Sequence, residues 1–257
     1  MFRLITSFFS LLLLLFIILP IVKIVSGLDG QILSSVLKDR QVFDSIFLTF
    51  RCAFWATIAC LIFGLPLAFI LARYNFPGKS FIQGIVDLPV MIPHTAAGIA
   101  LLMVFGRRFL LGSFFEKFGL KFVGTELGIS LAMAFVSLPF LVNAARDGFL
   151  AIDPRMEMVA RTLGANPFQV FFKITLPLAW RSIFSGAIMM WARGISEFGA
   201  VVILAYHPMV APILIWERFE AYGLKYAKPV AVILVLICLL IFAVLRAVAE
   251  KRVTTKN

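Results

Sequence analysis

Long uninterrupted apolar segments constrain the fold of this chain more than any other feature. There are six, each of roughly 19 to 23 residues, enough to cross about 30 Å of hydrocarbon as a helix. We predict these spans at 4–25, 49–71, 84–105, 127–145, 183–205 and 230–249. Lipid offers the backbone no hydrogen-bond partners, and the unbroken runs lack the alternation of barrel strands. The sequence therefore predicts an all-α integral membrane protein with six transmembrane helices.

Composition agrees with this class and excludes several functions. Hydrophobic residues make up 62% of the chain and charged residues 14%, and the mean hydropathy is +1.03, more apolar than a soluble domain needs. The net charge of +11 is explained by Lys and Arg that flank the spans and face lipid headgroups. Nucleic-acid binding would need a basic soluble surface, which this pattern does not provide.

The topology follows from the spans. The apolar run 10–25 is longer than that of a signal peptide, and no small-residue cleavage site ends it, so we interpret it as a retained first span. An even number of spans places both termini on one side. Lys and Arg divide almost equally between the two sides, so the positive-inside rule only weakly favours cytoplasmic termini. The connections are short, which predicts one domain over 1–257.

The least hydrophobic long stretch, 146–181, lies between the fourth and fifth spans. Asp153-Pro154 is a helix start, because Asp can cap free N–H groups and Pro suits the first helical position. Gly164 predicts the helix end. Asn166-Pro167 repeats the start signal, which predicts a second short helix over 168–174, before Pro177 begins the next span.

The first of these two helices is amphipathic. Met156, Val159, Ala160 and Leu163 recur at helical spacing, while Arg155 and Arg161 point elsewhere. Two interpretations remain open on these features alone. The helix is either an interfacial helix on lipid headgroups or a rigid element that inserts an apolar patch into a groove of a partner.

The spacing Val159-Ala160-x-x-x-Gly164, followed after nine residues by Ile174-x-Leu176-Pro177, resembles the EAA loop of ABC importer permeases. Met158 occupies the usual Glu position, and Glu157 lies one residue earlier. The resemblance implies a cytoplasmic coupling loop, about 146–181, that docks on a separate ATPase, with both termini also cytoplasmic. The residues it assigns to docking are Arg155, Glu157, Met158, Val159, Ala160, Leu163, Gly164, Phe168, Leu176 and Pro177.

Ionisable residues inside the third and fifth spans mark a polar face. Such residues are expensive in lipid and normally face the bundle interior or a wet cavity. In the third span Asp87, Met91 and His94 share a face if the helix is regular, but Pro89 and Pro93 predict a kink. The candidates for a pathway or gate are Asp87, Met91, His94, Ser185, Met189, Arg193, Ser196 and Glu197.

These charges have two interpretations. Arg193 forms a structural ion pair with Glu197 or with Asp87, or it contacts a substrate directly. Two acidic groups against one Arg make a poor fixed anion site, which favours the structural pair.

Residues 84–102 and 193–202 look like the molybdate/tungstate and sulfate branch of ABC importer permeases. This resemblance implies a type I importer permease fold and a homodimer. It also implies two ATPase subunits, an external oxyanion-binding protein, and molybdate or tungstate as cargo, with sulfate as the alternative.

Several chemistries have no motif in this sequence. No phosphate-binding P-loop occurs, so the energy source must be another chain, and no catalytic constellation suggests an enzyme. His94 and His207 are the two histidines, and Cys52, Cys60 and Cys238 lie in apolar segments, so we expect no metal, cofactor or disulfide. A secondary transporter or channel is the alternative of another class, but repeated broken halves and a filter are not evident.

Overall fold

The computed structural model describes residues 2–26 and 30–254, with side chains as far as 245, and this part of the chain is helical without strands. The helices in chain order are α1 Phe2–Val25, α2 Gly30–Leu37, α3 Arg40–Arg73, α4 Lys79–Met91, α5 His94–Phe105, α6 Leu110–Glu116, α7 Glu126–Leu150, α8 Pro154–Thr162, α9 Pro167–Val170, α10 Leu176–Ile195, α11 Gly199–Leu204, α12 Ala211–Tyr222 and α13 Leu224–Thr254. A π-helical segment, Phe171–Thr175, connects α9 to α10. The all-α prediction is confirmed.

Within the described residues, four helices are long and apolar enough to cross a membrane: α1, α3, α7 and the Leu224–Leu245 part of α13. The pair α4 and α5 would be a fifth span if its two halves are counted together. The fifth predicted span, 183–205, is covered by α10 and α11, and α10 carries Arg181 and Arg193. The chain is thus a multi-pass membrane protein, in which two of the six predicted spans are not continuous helices.

The third predicted span is broken rather than kinked. Its halves α4 and α5 differ in direction by 114°. The break falls at Ile92, which is extended with ψ 146°, because a residue before proline is driven out of the helical region. Pro93 also lacks the N–H that would continue the ladder. Pro89, by contrast, is accommodated within α4.

The second short helix of the 146–181 stretch, α9, continues without interruption toward the next span. Asn166 and Gln169 form a reciprocal capping box at its start, as the Asn-Pro signal predicts. No break then separates α9, the π-helical segment and α10. The wider π turn ends at Thr175, two residues before Pro177, whose ring would otherwise clash with the carbonyl group four residues earlier.

By its internal contacts the chain divides into two units, Met1–Ile46 with Ile213–Asn257, and Phe47–Pro212. In the first unit Arg218 forms an ion pair with Asp39. In the second unit the core is built on α7, against which α10 packs very closely. A Cβ atom on Gly148 would lie 2.5 Å from Ser182 Cβ, and one on Gly186 would lie 2.6 Å from Ala144 Cβ. Small residues therefore let these two helices approach, as is common in membrane bundles.

Candidate functional site

The first candidate site is the loop that joins α7 to α10, and its start and end follow the sequence signals. The Asp153 side chain accepts a hydrogen bond of 2.9 Å from the Arg155 N–H, and Pro154 opens α8. Gly164 follows the helix end with a φ of 90°, in the left-handed region that glycine adopts without strain. The Ala165 N–H returns to the Ala160 carbonyl at 3.0 Å, which fixes the turn between α8 and α9.

Glu157 points inward and anchors α8 to the rest of its unit. Its Oε1 atom lies 2.8 Å from Arg73 Nη2 and accepts a 2.9 Å hydrogen bond from the Thr175 hydroxyl. Arg73 also donates to the Ile152 carbonyl at 3.2 Å. The Arg73 and Glu157 side chains are only 10% and 12% exposed. The ion pair therefore joins α3, α8 and the π-helical segment at one point.

The outward side of the loop exposes large apolar residues, which we call the outer apolar patch. Its members are Met156, Met158, Val159, Leu163, Phe168 and Phe172. Leu163 is the most exposed of them, at 83%. Ala160, predicted on the same face as Met156, Val159 and Leu163, instead lies buried on the inner side. Arg155 and Pro177 are exposed and Leu176 is half-buried.

The second candidate site is a group of polar side chains where the third and fifth predicted spans break, which we call the polar cluster: His94, Arg193, Ser196 and Glu197. Arg193 Nη2 lies 2.9 Å from Glu197 Oε2, and His94 Nδ1 lies 3.0 Å from the same oxygen. Arg193 Nη1 donates to the Ser196 hydroxyl at 3.2 Å. One carboxylate therefore holds both the guanidinium and the imidazole groups.

The break between α10 and α11 positions this carboxylate. Glu197 lies in the non-helical segment after Ile195, and its Oε1 accepts a 2.9 Å hydrogen bond from the Ala200 N–H in the first turn of α11. Glycines then bring α11 against α5. A Cβ atom on Gly199 would lie 2.8 Å from His94 Cβ, and one on Gly98 would lie 2.9 Å from the Ala200 carbonyl oxygen.

Asp87 does not join the polar cluster, which corrects two expectations. Its Oδ1 accepts a 2.6 Å hydrogen bond from Asn143 Nδ2 on α7, so the Arg193–Asp87 alternative is wrong and the Arg193–Glu197 pair is confirmed. The bend after Met91 also separates Asp87 and Met91 from His94, so they share no regular helical face. Met91, Ser185 and Met189 are exposed in this unit.

Sequence reasoning missed three polar partners. Arg73, Thr175 and Asn143 are each distant along the chain from the residue that they bind. A buried carboxylate indicates that a cationic or hydrogen-bonding partner is nearby, but the sequence does not indicate which of the many arginines is that partner. Among the described residues, no group of three or more His, Cys, Asp or Glu is placed to hold a metal ion.

Comparisons with known proteins fit this architecture. Residues 64–254 match the family of the binding-protein-dependent transport system inner membrane component. The chain is 45% identical to the molybdate/tungstate transport system permease protein WtpB of Pyrococcus abyssi, over 91% of this chain and 90% of that one. It is 32% identical to the probable sulfate transport system permease protein cysT of Chlorella vulgaris, over 81% and 80% of the two chains.

A solved structure of a bacterial ABC transporter involved in the import of alginate contains a chain of the same fold. The TM-score is 0.75 at 14% identity, and the match covers 97% of this chain and 96% of that one. The architecture is thus that of a type I ABC importer permease, an all-α integral membrane fold. The chain belongs to the family of inner membrane components of binding-protein-dependent transport systems.

Proposed function

We propose that this chain is the membrane-spanning permease subunit of an ATP-driven importer whose cargo is molybdate or tungstate. The observation that carries the proposal is the 45% identity to an archaeal molybdate/tungstate permease over nine-tenths of both chains. Sulfate is the second candidate, because the sulfate permease relative is 32% identical over four-fifths of both chains. These cargoes are all tetrahedral oxyanions with two negative charges.

Energy for transport comes from a separate ATPase that docks on the loop from 154 to 174. The outer apolar patch supports this role, since six large apolar side chains face away from the unit that carries them. An apolar helix of this kind fits a groove of a partner. The Arg73–Glu157 pair holds the helix rigid, so movement of the ATPase is passed to α10 as a rigid-body displacement. The chain itself hydrolyses no ATP.

The assembly is a homodimer with two ATPase subunits and an external oxyanion-binding protein. One subunit offers a single polar-faced α10, and two copies related by a two-fold axis would enclose a pathway between them. The ATPase docks in the cytoplasm, where ATP is available, so the 146–181 loop and both termini lie on that side. The bilayer is the cell membrane.

The pathway candidates lie on the side of α10 that would face the dimer axis, and at the breaks in the third and fifth spans. Ser185 and Met189 are exposed along α10, and the polar cluster follows at its end. Exposure of polar groups in a membrane helix is expensive unless water or substrate meets them. Asp87 and Met91 contribute from the end of α4.

Reconstitution tests the proposal. The chain is assembled in proteoliposomes with the ATPase and the binding protein of its own transport system, and uptake of radioactive tungstate, molybdate and sulfate is measured. We expect ATP-dependent uptake of tungstate and molybdate, with sulfate a poor competitor. Sulfate uptake in preference to the other two would support the second candidate, and uptake without ATP or the ATPase would contradict an ATP-driven importer.

A further inference from the structure

We propose that Arg193, together with His94 and Ser196, makes transient contact with the oxyanion as it crosses the membrane. In this proposal the buried Glu197 carboxylate is the counter-ion that holds Arg193 between transport events. The inference rests on the proposed function, and it assigns the polar cluster a substrate class and each of its members a task.

The first argument is the charge of the polar cluster. The sequence places two acidic groups near one arginine, a balance that would repel an anion. The structure moves Asp87 away, to Asn143 on α7. Within the described part of the cluster, one carboxylate then faces a guanidinium group and an imidazole group. The cluster therefore pairs one carboxylate, not two, with the guanidinium group.

The second argument is that the carboxylate of the cluster is buried, whereas its other polar groups are partly exposed. The Glu197 side chain is fully buried, at 0% exposed, whereas Arg193 and His94 are 22% and 37% exposed, and Ser196 is exposed. Both Glu197 oxygens already accept hydrogen bonds, one from the Ala200 N–H and one from Arg193. An approaching anion therefore meets the partly exposed Arg193 guanidinium group, whose geometry and charge match the oxygens of such anions. The Ser196 hydroxyl now donates to the Arg193 carbonyl at 3.0 Å and would turn from it toward the anion.

The third argument comes from the helix break. His94 is the first residue of α5, and this twelve-residue helix has no side-chain cap at its start. The partial positive charge at the amino end of α5 thus adds to the positive charge of Arg193 beside it. Gly199 lets α11 pass directly against His94, which keeps this end of α5 next to the cluster.

The geometry also explains why contact would be brief. A lone arginine in a membrane would bind a dianion tightly and retain it, and conduction needs contacts weak enough to release. Here Arg193 exchanges one oxyanion, the Glu197 carboxylate, for another, the cargo. Because the carboxylate stays within reach, it recovers the guanidinium group as the cargo leaves, and Arg193 is not left unpaired in low dielectric.

The test uses the reconstituted importer with three variants: Arg193→Gln combined with Glu197→Gln, Arg193→Lys, and Ser196→Ala. The double variant removes both charges together, so no unpaired charge stays buried. Arg108→Gln, the same change on an exposed arginine beyond the end of α5, is the matched control. Tungstate uptake and ATP hydrolysis stimulated by the loaded binding protein are measured on each.

We expect the double variant to keep its stimulated ATPase activity and its thermal stability. Its uptake per ATP should fall by about tenfold or more, the factor expected for losing hydrogen bonds to a charged group. Arg193→Lys should retain part of the uptake, Ser196→Ala should lower it modestly, and Arg108→Gln should leave it unchanged.

Recovery of wild-type uptake per ATP in the double variant would overturn the inference, because the pair would then be purely structural. If the double variant does not assemble, Arg193→Lys and Ser196→Ala decide, since both retain Glu197: unchanged uptake per ATP in both would also overturn it. Failure of the proposed function is distinguishable, because the unmodified importer would then show no ATP-dependent oxyanion uptake.

Discussion

At the residue scale, the role of Glu157 depends on its surroundings in the fold. It lies one residue before the usual glutamate position of the EAA pattern, and the resemblance to that pattern assigns it to docking. In the structure it is nearly buried and binds Arg73 and Thr175 within its own unit. A carboxylate with its charge neutralised inside the chain contributes rigidity to α8, not charge to a partner.

Replacing Glu157 by Gln should destabilise the protein by about 3–5 kcal/mol, because Arg73 would stay buried without its counter-ion. Thermal unfolding in detergent measures this loss. The matched control is Asp44→Asn, which breaks the exposed 3.7 Å pair with Arg40 and should have almost no effect, since surface pairs contribute little. Equal stability of the two variants would show that the Arg73–Glu157 pair does not anchor α8.

Gly164→Val should cost about 1–3 kcal/mol, because a side chain is strained at the φ of 90°. The local turn between α8 and α9 should distort and weaken ATPase docking, while insertion of the spans is retained. Gly84→Ala is the control, since Gly84 lies within α4 and nothing surrounds the site of its missing Cβ. Pull-down of the ATPase and protease mapping of the inserted chain separate the two effects.

At the element scale, the two broken helices have different origins. The break before α5 follows from Pro93, a signal that is present in the local sequence. The break before α11 has no proline. There the Ala200 N–H donates to the Glu197 carboxylate, so a side chain satisfies one of the N–H groups that have no backbone partner in the first turn of a helix. Glu197 is buried and contacts His94 at the start of α5 as well as Ala200 in α11, and these contacts are tertiary rather than local in origin.

Gly98→Ala should disturb this junction, because the added Cβ would lie 2.8 Å from Ile203 Cβ and 2.9 Å from the Ala200 carbonyl oxygen. Overpacking of this kind costs about 1–3 kcal/mol, and α11 would have to move away from α5. We expect a lower unfolding temperature and reduced uptake per ATP. A variant as stable and active as the unmodified protein would mean that α5 and α11 do not depend on this close contact.

Leu163→Asp tests α8 as a docking element. If the outer apolar patch is buried against the ATPase, an unpaired carboxylate there should weaken binding about a hundredfold or more. Leu163→Met is the control, because it keeps an apolar side chain of similar size at this 83% exposed position. Unchanged ATPase binding and uptake in Leu163→Asp would instead favour an interfacial helix on lipid headgroups.

At the scale of the whole molecule, the helices differ in how well they suit lipid. Four of the described helices are long and apolar enough to cross a membrane. In contrast, α10 carries two arginines and presents exposed polar residues. A helix of this kind is stable in a bilayer when its polar side faces other protein or water. A second copy of the chain would provide that cover.

We therefore expect the purified protein to be a two-fold dimer, whether or not the ATPase is bound. Mass measurement in detergent, with cross-linking in native membranes as a check, determines the state. A transport-competent monomer would contradict the prediction, because one polar-faced α10 does not enclose a pathway.

The sequence by itself determined what depends on composition and on neighbours along the chain. Apolar runs fix the membrane class, Asp153-Pro154 and Gly164 fix α8, and Pro93 marks a break, because these signals act within a few residues. Tertiary structure alone decided that Glu157 binds Arg73, that Asp87 binds Asn143, and that α10 ends before Glu197. Each depends on contacts between polar groups that are not specified by any local sequence pattern. The low dielectric inside the protein strengthens these contacts.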